Sequence, residues 1–276
     1  MTVRDLGSIL RDSVARWSDH EAPHLGAALA FYTLLSLAPL LIFLVGLLSV
    51  GFGRDVVENR LVADSSLLVG STGADAIRIL LAGKTSGGPT AGILASLTLL
   101  FGASGVFGEL RTALNKMWDV APSRTGIRSL FTQQLFAFGL VVTAGFLLVL
   151  SMFATIGMAI VGKFFAAGIA TPIWLLRVVN IFVSLAVVVF LFGLVFRFVP
   201  DRVLPWRDII IGAGATGLMF EIGKIVLGLY FVWAGVGSAY GAAGSLVAII
   251  IWVYYSAQIF LFGAEFTRVY SMRHSP

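Results

Sequence analysis

Uncharged stretches long enough to cross a bilayer are the feature that most constrains this chain. Residues 25–53 contain no charged side chain, and about 20 apolar residues suffice for a helix to span the hydrocarbon core. Such stretches recur along the 276 residues, of which 58% are hydrophobic and 12% are charged, a composition outside that of soluble domains. Because a bilayer offers no water to backbone polar groups, each stretch is expected to be helical. The sequence therefore predicts an all-α, polytopic membrane protein.

Six transmembrane helices are predicted within a single integral-membrane domain, 1–276. The spans cover about 25–50, 90–109, 132–161, 173–196, 207–233 and 245–264. Residues 1–24 precede them with apolar side chains at helical spacing among charged ones, a pattern typical of an amphipathic helix on the membrane surface. Residues 54–89 are too polar for a span, and their glycines interrupt short apolar clusters. We expect a long outer loop there, with one or two short helices.

The distribution of positive charge predicts the orientation of the six spans. Segments on the side of the two termini hold twelve Lys and Arg residues, whereas segments on the opposite side hold five. Four of those five lie in the one long loop, 54–89. Because cytoplasmic segments of membrane proteins carry an excess of Lys and Arg, both termini are predicted to be cytoplasmic.

The fifth predicted span carries charges near its middle. Its small and charged residues fall within one quadrant of a helix, and we call these five residues the charged stripe: Gly214, Gly217, Glu221, Lys224 and Gly228. Glycines let a neighbouring helix approach closely, and Glu and Lys one turn apart can pair. A charge at this depth is costly, so it is expected to face protein or water. Two interpretations stay open, a structural ion pair that closes the bundle and a site that handles a substrate or a proton.

Polar side chains on other spans extend this predicted interior. In the first span, Tyr32, Ser36 and Pro39 lie at helical spacing, and the proline frees a carbonyl that neighbours must satisfy. The residues predicted to line a common polar interior are Tyr32, Ser36, Pro39, Glu109, Asn180, Glu221, Lys224 and Glu265. Close packing of helices through small residues would also explain these faces.

Several short segments resemble the YihY/BrkB family of membrane proteins. They are AFYTLLSLAPLL at 30–41, LNKMW at 114–118, FRFVPD at 196–201, PWRD at 205–208, WVY at 252–254 and GAE at 263–265. The resemblance covers nearly the whole chain and implies a six-helix, multi-pass protein of the bacterial inner membrane. It also implies the roles attached to that family: a virulence or serum-resistance factor, export of a lipid or envelope precursor, or an older assignment as ribonuclease BN. It provides no catalytic residues to carry over.

The residues themselves argue against ribonuclease chemistry. RNA hydrolysis uses metal-binding His and Asp clusters, or a paired acid and base, on a surface open to a polyanion. The histidines His20, His24 and His274 lie in the terminal tails without a metal-ligand spacing, and the sequence contains no cysteine. It also contains no GxxxxGK[ST] phosphate loop. We therefore expect no enzyme activity, no cofactor, no bound metal and no nucleic-acid partner.

Two functions remain compatible with these features. In the first, the bundle takes part in transport or export of a lipid or lipid-linked envelope component, with membrane lipids as partners and the polar interior holding the headgroup. In the second, the protein is a membrane scaffold that binds envelope-assembly proteins through the loop 54–89. The ion pair of the charged stripe would then only hold helices together. The sequence specifies no oligomeric state.

Overall fold

The computed structural model describes residues 3–82, 105–120, 139, 173–234 and 244–274. The helices in these ranges are α1 (Val3–Asp19), α2 (Ala22–Phe52), α3 (Arg54–Ala82), α4 (105–117), α5 (Ile173–Phe198), α6 (Trp206–Trp233) and α7 (Gly244–His274). No strand occurs in this described part of the chain. The prediction of an all-α protein is therefore confirmed.

Two of the described helices are long and apolar enough to cross a bilayer, within Trp206–Phe231 of α6 and over Gly244–His274, the whole of α7. The helices α2 and α5 contain shorter apolar stretches, Ala22–Leu37 and Leu185–Phe198. Nearly all of the predicted spans 90–109 and 132–161 lies outside the described residues. The six-span topology and the cytoplasmic termini accordingly stay predictions.

A single continuous helix, α3, occupies the region in which the sequence predicted a loop with short helices. Its apolar side chains join a buried cluster with residues of α2 and α7, and the buried members from α3 are Val57, Leu61, Ile77 and Leu81. Gly70 and Gly73 lie inside this helix, and each costs about 1 kcal/mol relative to alanine. Apolar burial, at about 25 cal/mol per Å², offsets that cost. The prediction of a loop over 54–82 was wrong, because tertiary packing overrides the local glycine signal.

The helices α6 and α7 run antiparallel and interlock through two reciprocal glycine–threonine contacts. A Cβ added at Gly212 would lie 1.9 Å from Thr267 Oγ1, and a Cβ added at Gly263 would lie 2.0 Å from Thr216 Oγ1. Each threonine hydroxyl donates at 2.7 Å to the carbonyl of the glycine four residues earlier in its own helix. The buried hydroxyls are thereby satisfied, and the small residues let the two helices approach closely.

The end of the bundle at which α4, α5 and α7 meet is closely packed. Trp118, Phe196 and Leu261 are completely buried there in one apolar cluster. The indole Nε1 of Trp118 donates to the carbonyl oxygen of Ala264 at 3.1 Å, which satisfies the buried donor. This contact fixes the end of α4 against α7, one residue before Glu265.

The first helix, α1, packs along α7 and leaves an apolar side uncovered. Ile9 is completely buried in a cluster with Phe266, Val269 and Tyr270 of α7. The exposed apolar side chains of α1 are Leu6, Leu10 and Val14. An amphipathic helix with one docked side and one apolar exposed side matches the pattern expected at a membrane interface.

Candidate functional site

Two residues with left-handed backbone close the helix ends that carry the site. Glu21, with φ 55°, joins α1 to α2, and Asp119, with φ 54°, follows α4. Such φ values are uncommon outside glycine, although aspartate tolerates them better than most residues. After α4, the Val120 N–H donates to the carbonyl of Asn115 at 2.9 Å, a bond that caps the last turn of the helix. The two turns bring the ends of α1 and α4 to the same side of α7.

Four side chains meet at this point, and we call them the ion-pair junction: Arg16, His20, Asp119 and Glu265. Arg16 Nε donates to Glu265 Oε2 at 3.1 Å, and Arg16 Nη2 donates to Asp119 Oδ2 at 2.6 Å. His20 Nδ1 contacts Glu265 Oε1, and His20 Nε2 lies 3.3 Å from Asp119 Oδ1. Arg16 and His20 therefore each bridge both carboxylates.

Because Glu265 is buried, the stability of the ion-pair junction depends on all four of its side chains. The Glu265 side chain has no exposed surface, whereas Arg16 and His20 retain 25% and 19% of theirs. Removing one partner of a buried ion pair leaves an uncompensated charge in a low-dielectric environment, which typically costs about 3–5 kcal/mol. Glu265 is consequently stable in this position only with Arg16 and His20 beside it.

The two more accessible charges of the junction shift each other's pKa. Partial burial acts to lower the pKa of Arg16, but the hydrogen bond to Asp119 and the charge of Glu265 raise it above its usual value. Partial burial acts to raise the pKa of Asp119, but the hydrogen bond and charge of Arg16 outweigh it, so that this pKa lies below its usual value. Both side chains are therefore charged at neutral pH, and the ion pair persists.

A second set of polar contacts ties α4 to the turn between α5 and α6. Asn115 Nδ2 donates to Asp201 Oδ2 at 2.8 Å, and the Asp201 N–H donates back to Asn115 Oδ1 at 2.9 Å. Arg111 Nε donates to Asp201 Oδ1 at 3.1 Å. On the exposed side, Lys116 Nζ lies 2.7 Å from Glu21 Oε2, and this hydrogen bond lowers the pKa of Glu21. Side chains of α4 thus hold two turns in place: the turn between α5 and α6 at Asp201, and the turn between α1 and α2 at Glu21.

The charged stripe lies on α6, and its members have two kinds of surroundings. Glu221 Oε2 and Lys224 Nζ are 2.7 Å apart, with 20% and 17% of their side chains exposed. Gly217 packs against α5, because an added Cβ would lie 2.7 Å from the nearest side chain of that helix. At Gly214 and Gly228, an added Cβ would meet nothing within 4 Å among the described residues. The stripe therefore runs along the border between a helix contact and an open surface.

The polar residues predicted on α2 are engaged in local packing. The ring of Tyr32 lies against Gly105 of α4, where an added Cβ would come within 2.6 Å of Tyr32 Cδ1. Ser36 is buried, and its Oγ donates to the carbonyl of Thr33 at 3.0 Å. Pro39 lies within the continuous helix α2, and its side chain is outside those the structure describes. This glycine–tyrosine contact brings α2 close to α4.

The remaining predicted site residues lie on three different helices. Glu109 is half-buried in α4, without a hydrogen bond or ion pair to the described residues. Asn180 lies in α5, and its side chain is likewise outside those described. The sequence grouped Glu265 with Glu221 and Lys224, whereas in the structure it pairs with Arg16 and His20 of the ion-pair junction.

Three members of the ion-pair junction were not predicted as site residues. The sequence placed His20 in a terminal tail, and this was wrong, because the turn between α1 and α2 inserts its ring between two carboxylates. Arg16 lies one helical turn before His20, and Asp119 directly follows the segment LNKMW. Two signals could have located them. Arg16 and His20 have the i, i+4 spacing that places two basic side chains on one side of a helix, and Asp119 lies next to a family segment.

Comparison with protein families settles the relationship of the chain. The family model described as Virulence factor BrkB matches residues 13–276, a range that includes the ion-pair junction and the charged stripe. The chain belongs to the virulence factor BrkB family. The segments that resemble this family meet in the structure: LNKMW ends directly before Asp119, GAE ends at Glu265, and FRFVPD ends at Asp201.

Curated relatives of this BrkB-family chain are mostly described as membrane proteins. The ribonuclease-like protein YfkH of Bacillus subtilis is 26% identical over 265 residues, which cover 94% of this chain and 93% of YfkH. A UPF0761 membrane protein of Pseudomonas aeruginosa is 28% identical over 260 residues, covering 90% of this chain and 59% of that protein. The one from Chromohalobacter salexigens is 25% identical over 260 residues, covering 93% and 61%. The chain thus spans about three fifths of these UPF0761 relatives, and no solved structure matches it.

Proposed function

We propose that this BrkB-family membrane protein takes part in moving a lipid or lipid-linked envelope component across the bacterial inner membrane. The observation that carries the proposal is the partial exposure of an ion pair in the middle of an apolar helix. Glu221 and Lys224 are 20% and 17% exposed, and the adjacent Ile222 and Ile225 are 53% and 66% exposed. Charges at this depth usually face a polar path or a partner instead of lipid tails. The open side of the pair supports a headgroup path.

The packing of glycines along α6 also supports a ligand beside the pair. An added Cβ would clash with α5 at Gly217 and with α7 at Gly223, whereas at Gly214 and Gly228 it would meet none of the described residues within 4 Å. A stripe that served only helix packing would be filled along its whole length. Ligand sites typically combine apolar walls with a few polar anchors. The face of α6 that carries the ion pair has this composition.

We further propose that the chain is not an enzyme, although one relative carries a ribonuclease-like name. In the described ranges, no three His, Cys, Asp or Glu side chains are grouped so as to hold a metal ion. The one histidine between carboxylates, His20, shares both of them with Arg16. A histidine held in this way contributes to an ion-pair network and is poorly placed to activate water. Membrane lipids are the partners in this proposal.

A membrane scaffold is the second candidate, and the outer side of α3 favours it. Asp75 and Arg78 form an ion pair with 61% and 66% of their side chains exposed, on a helix whose apolar side is buried against the bundle. A rigid helix that presents charged side chains offers a surface to envelope-assembly proteins. In this case the charged stripe would bind no ligand.

A photo-crosslinking amino acid at Gly228, incorporated in native membranes, tests the transport proposal. A Cβ added at this position would meet none of the described residues within 4 Å. A matched probe at Ile225, which is 66% exposed on the same helix, reports the composition of the bulk lipid. Transport predicts that adducts from Gly228 are enriched in one lipid or lipid-linked species relative to adducts from Ile225.

Adducts of the same composition at both positions, or only protein adducts at Gly228, would exclude a lipid site beside the ion pair. A third probe at the exposed Asp75 of α3 then examines the alternative. Protein adducts confined to that probe would favour the scaffold.

A further inference from the structure

A buried cation beside the ion-pair junction lacks a hydrogen bond at its Nε among the residues that the structure describes. Arg268 lies three residues after Glu265 on α7 and is 8% exposed. Its Nε is enclosed without an acceptor, and the described residues give its guanidinium no ion pair. A guanidinium carries five N–H donors, and burial of an unpaired charge is strongly unfavourable. The position is therefore suited to an anion that binds from outside the chain.

The carboxylates nearest to Arg268 are already engaged. The charges that act on Arg268 are those of Arg202, Asp119, Arg16 and Glu265. Both oxygens of each carboxylate contact a basic side chain of the ion-pair junction. The carboxylates of Asp119 and Glu265 therefore leave Arg268 no oxygen that is free of a contact with Arg16 or His20.

We propose that Arg268 and Arg202 bind a phosphate group at this end of the bundle. Guanidinium groups match phosphate oxygens in geometry and form short, charge-assisted hydrogen bonds with them. Arg202 is exposed in the turn between α5 and α6, and in the proposed site it contacts the ligand from the solvent side while Arg268 holds it from within. The phosphate belongs either to the headgroup of an anionic phospholipid or to a soluble phosphate compound. This site is separate from the charged stripe and does not depend on lipid transport.

Thermal unfolding of the full-length protein in a neutral detergent tests the site, with inorganic phosphate added at constant ionic strength to hold screening fixed. Without phosphate, we expect Arg268→Gln to unfold at a higher temperature than the unaltered protein, because it lacks the unpaired buried charge. With phosphate, the unfolding midpoint of the unaltered protein rises continuously as the phosphate concentration exceeds the dissociation constant, and that of Arg268→Gln does not. Phosphate is therefore expected to bring the unfolding midpoint of the unaltered protein up to that of Arg268→Gln or above it.

Two exposed arginines provide a graded comparison that does not disturb packing. Arg202→Gln removes the outer ligand, and we expect the apparent affinity for phosphate to fall about tenfold. Arg207→Gln is the matched control, because Arg207 is exposed nearby and is not among the charges that act on Arg268. Its response to phosphate should equal that of the unaltered protein. If Arg268→Gln fails to fold, this pair of variants decides the question, and equal responses would refute the proposal.

Nanodiscs of phosphatidylcholine, with and without phosphatidylglycerol, distinguish the two sources of phosphate. Stabilisation by phosphatidylglycerol alone, present in Arg207→Gln and lost in Arg268→Gln, assigns the site to a lipid headgroup. Stabilisation by inorganic phosphate in phosphatidylcholine nanodiscs assigns it to a soluble phosphate compound. Equal responses of the unaltered protein and Arg268→Gln to both additions would overturn the proposal.

Discussion

The two polar regions of this BrkB-family chain are built in opposite ways. The ion-pair junction joins side chains that are far apart in sequence and buries Glu265 completely, next to the interlocked Gly263 and Thr216. The charged stripe pairs two residues one turn apart on one helix and keeps both partly exposed. A region closed by long-range contacts resists change, whereas a locally paired, open region leaves room for a ligand. We infer that the junction stabilises the fold, and the transport function proposed above assigns the lipid to the stripe.

The largest effect on stability is expected at the ion-pair junction. Glu265→Gln leaves Arg16 and His20 without their buried carboxylate, and we expect the free energy of unfolding to fall by about 3 kcal/mol. The control is Glu58→Gln, which breaks the exposed Arg54–Glu58 pair on α3 and should cost at most about 0.5 kcal/mol. Unfolding in detergent measures both changes. Equal losses in the two variants would show that the junction contributes no more than a surface pair.

Two glycine-to-alanine substitutions are expected to change the unfolding midpoint less, and in opposite directions: one at the α6–α7 contact and one in the charged stripe. In Gly263→Ala the new Cβ would lie 2.0 Å from Thr216 Oγ1, and overpacking of this kind costs about 1–3 kcal/mol. In Gly214→Ala the new Cβ would meet none of the described residues within 4 Å, and alanine favours a helix over glycine by up to about 1 kcal/mol. Unfolding midpoints should therefore fall in the first variant and stay or rise in the second. A fall of similar size in both variants would mean that α6 is packed as tightly at Gly214 as α7 is at Gly263.

A still smaller effect concerns Asp119, and it depends on pH. Because the folded protein holds the pKa of Asp119 below its usual value, its contribution is complete above about pH 4 and is lost as the pH falls through the folded pKa. With 47% of this side chain exposed, solvent screening limits the effect, and Asp119→Asn should cost about 1 kcal/mol or less at pH 7. Unfolding measured from pH 7 to pH 3 should show the gap to the unaltered protein closing. A gap that is constant over this range would exclude an ionised Asp119 as its cause.

The sequence predicted the apolar helices well, because their signal is local. The predicted span 173–196 corresponds to Ile173–Phe198, and 207–233 corresponds to Trp206–Trp233. The last span was predicted over 245–264, whereas the helix continues to His274. Its final turns extend beyond the predicted span and pack on α1. The same local reasoning failed for α3, where contacts with α2 and α7 decide the structure.

The polar regions show the same division between local and distant signals. Glu221 and Lys224 lie three residues apart, so helical spacing alone predicts that they can pair. Arg16 and Glu265 are separated by 249 positions, and no periodic pattern relates them. The other two members, His20 and Asp119, lie beside the left-handed residue Glu21 and at a left-handed residue, respectively, where the residue types give little warning. The ion-pair junction could therefore be identified only from the three-dimensional arrangement of the helix ends.

Lipid capture by a probe at Gly228 in the double variant Glu221→Gln/Lys224→Met tests the central inference most directly. Removing both charges together leaves no unpaired charge in the bundle, so the free energy of unfolding should change by less than about 1 kcal/mol. At equal amounts of folded protein, we expect the enriched lipid adduct of the parent to disappear from the double variant. Retention of that adduct, or a loss of stability as large as that of Glu265→Gln, would show that the ion pair holds the bundle together and binds no ligand.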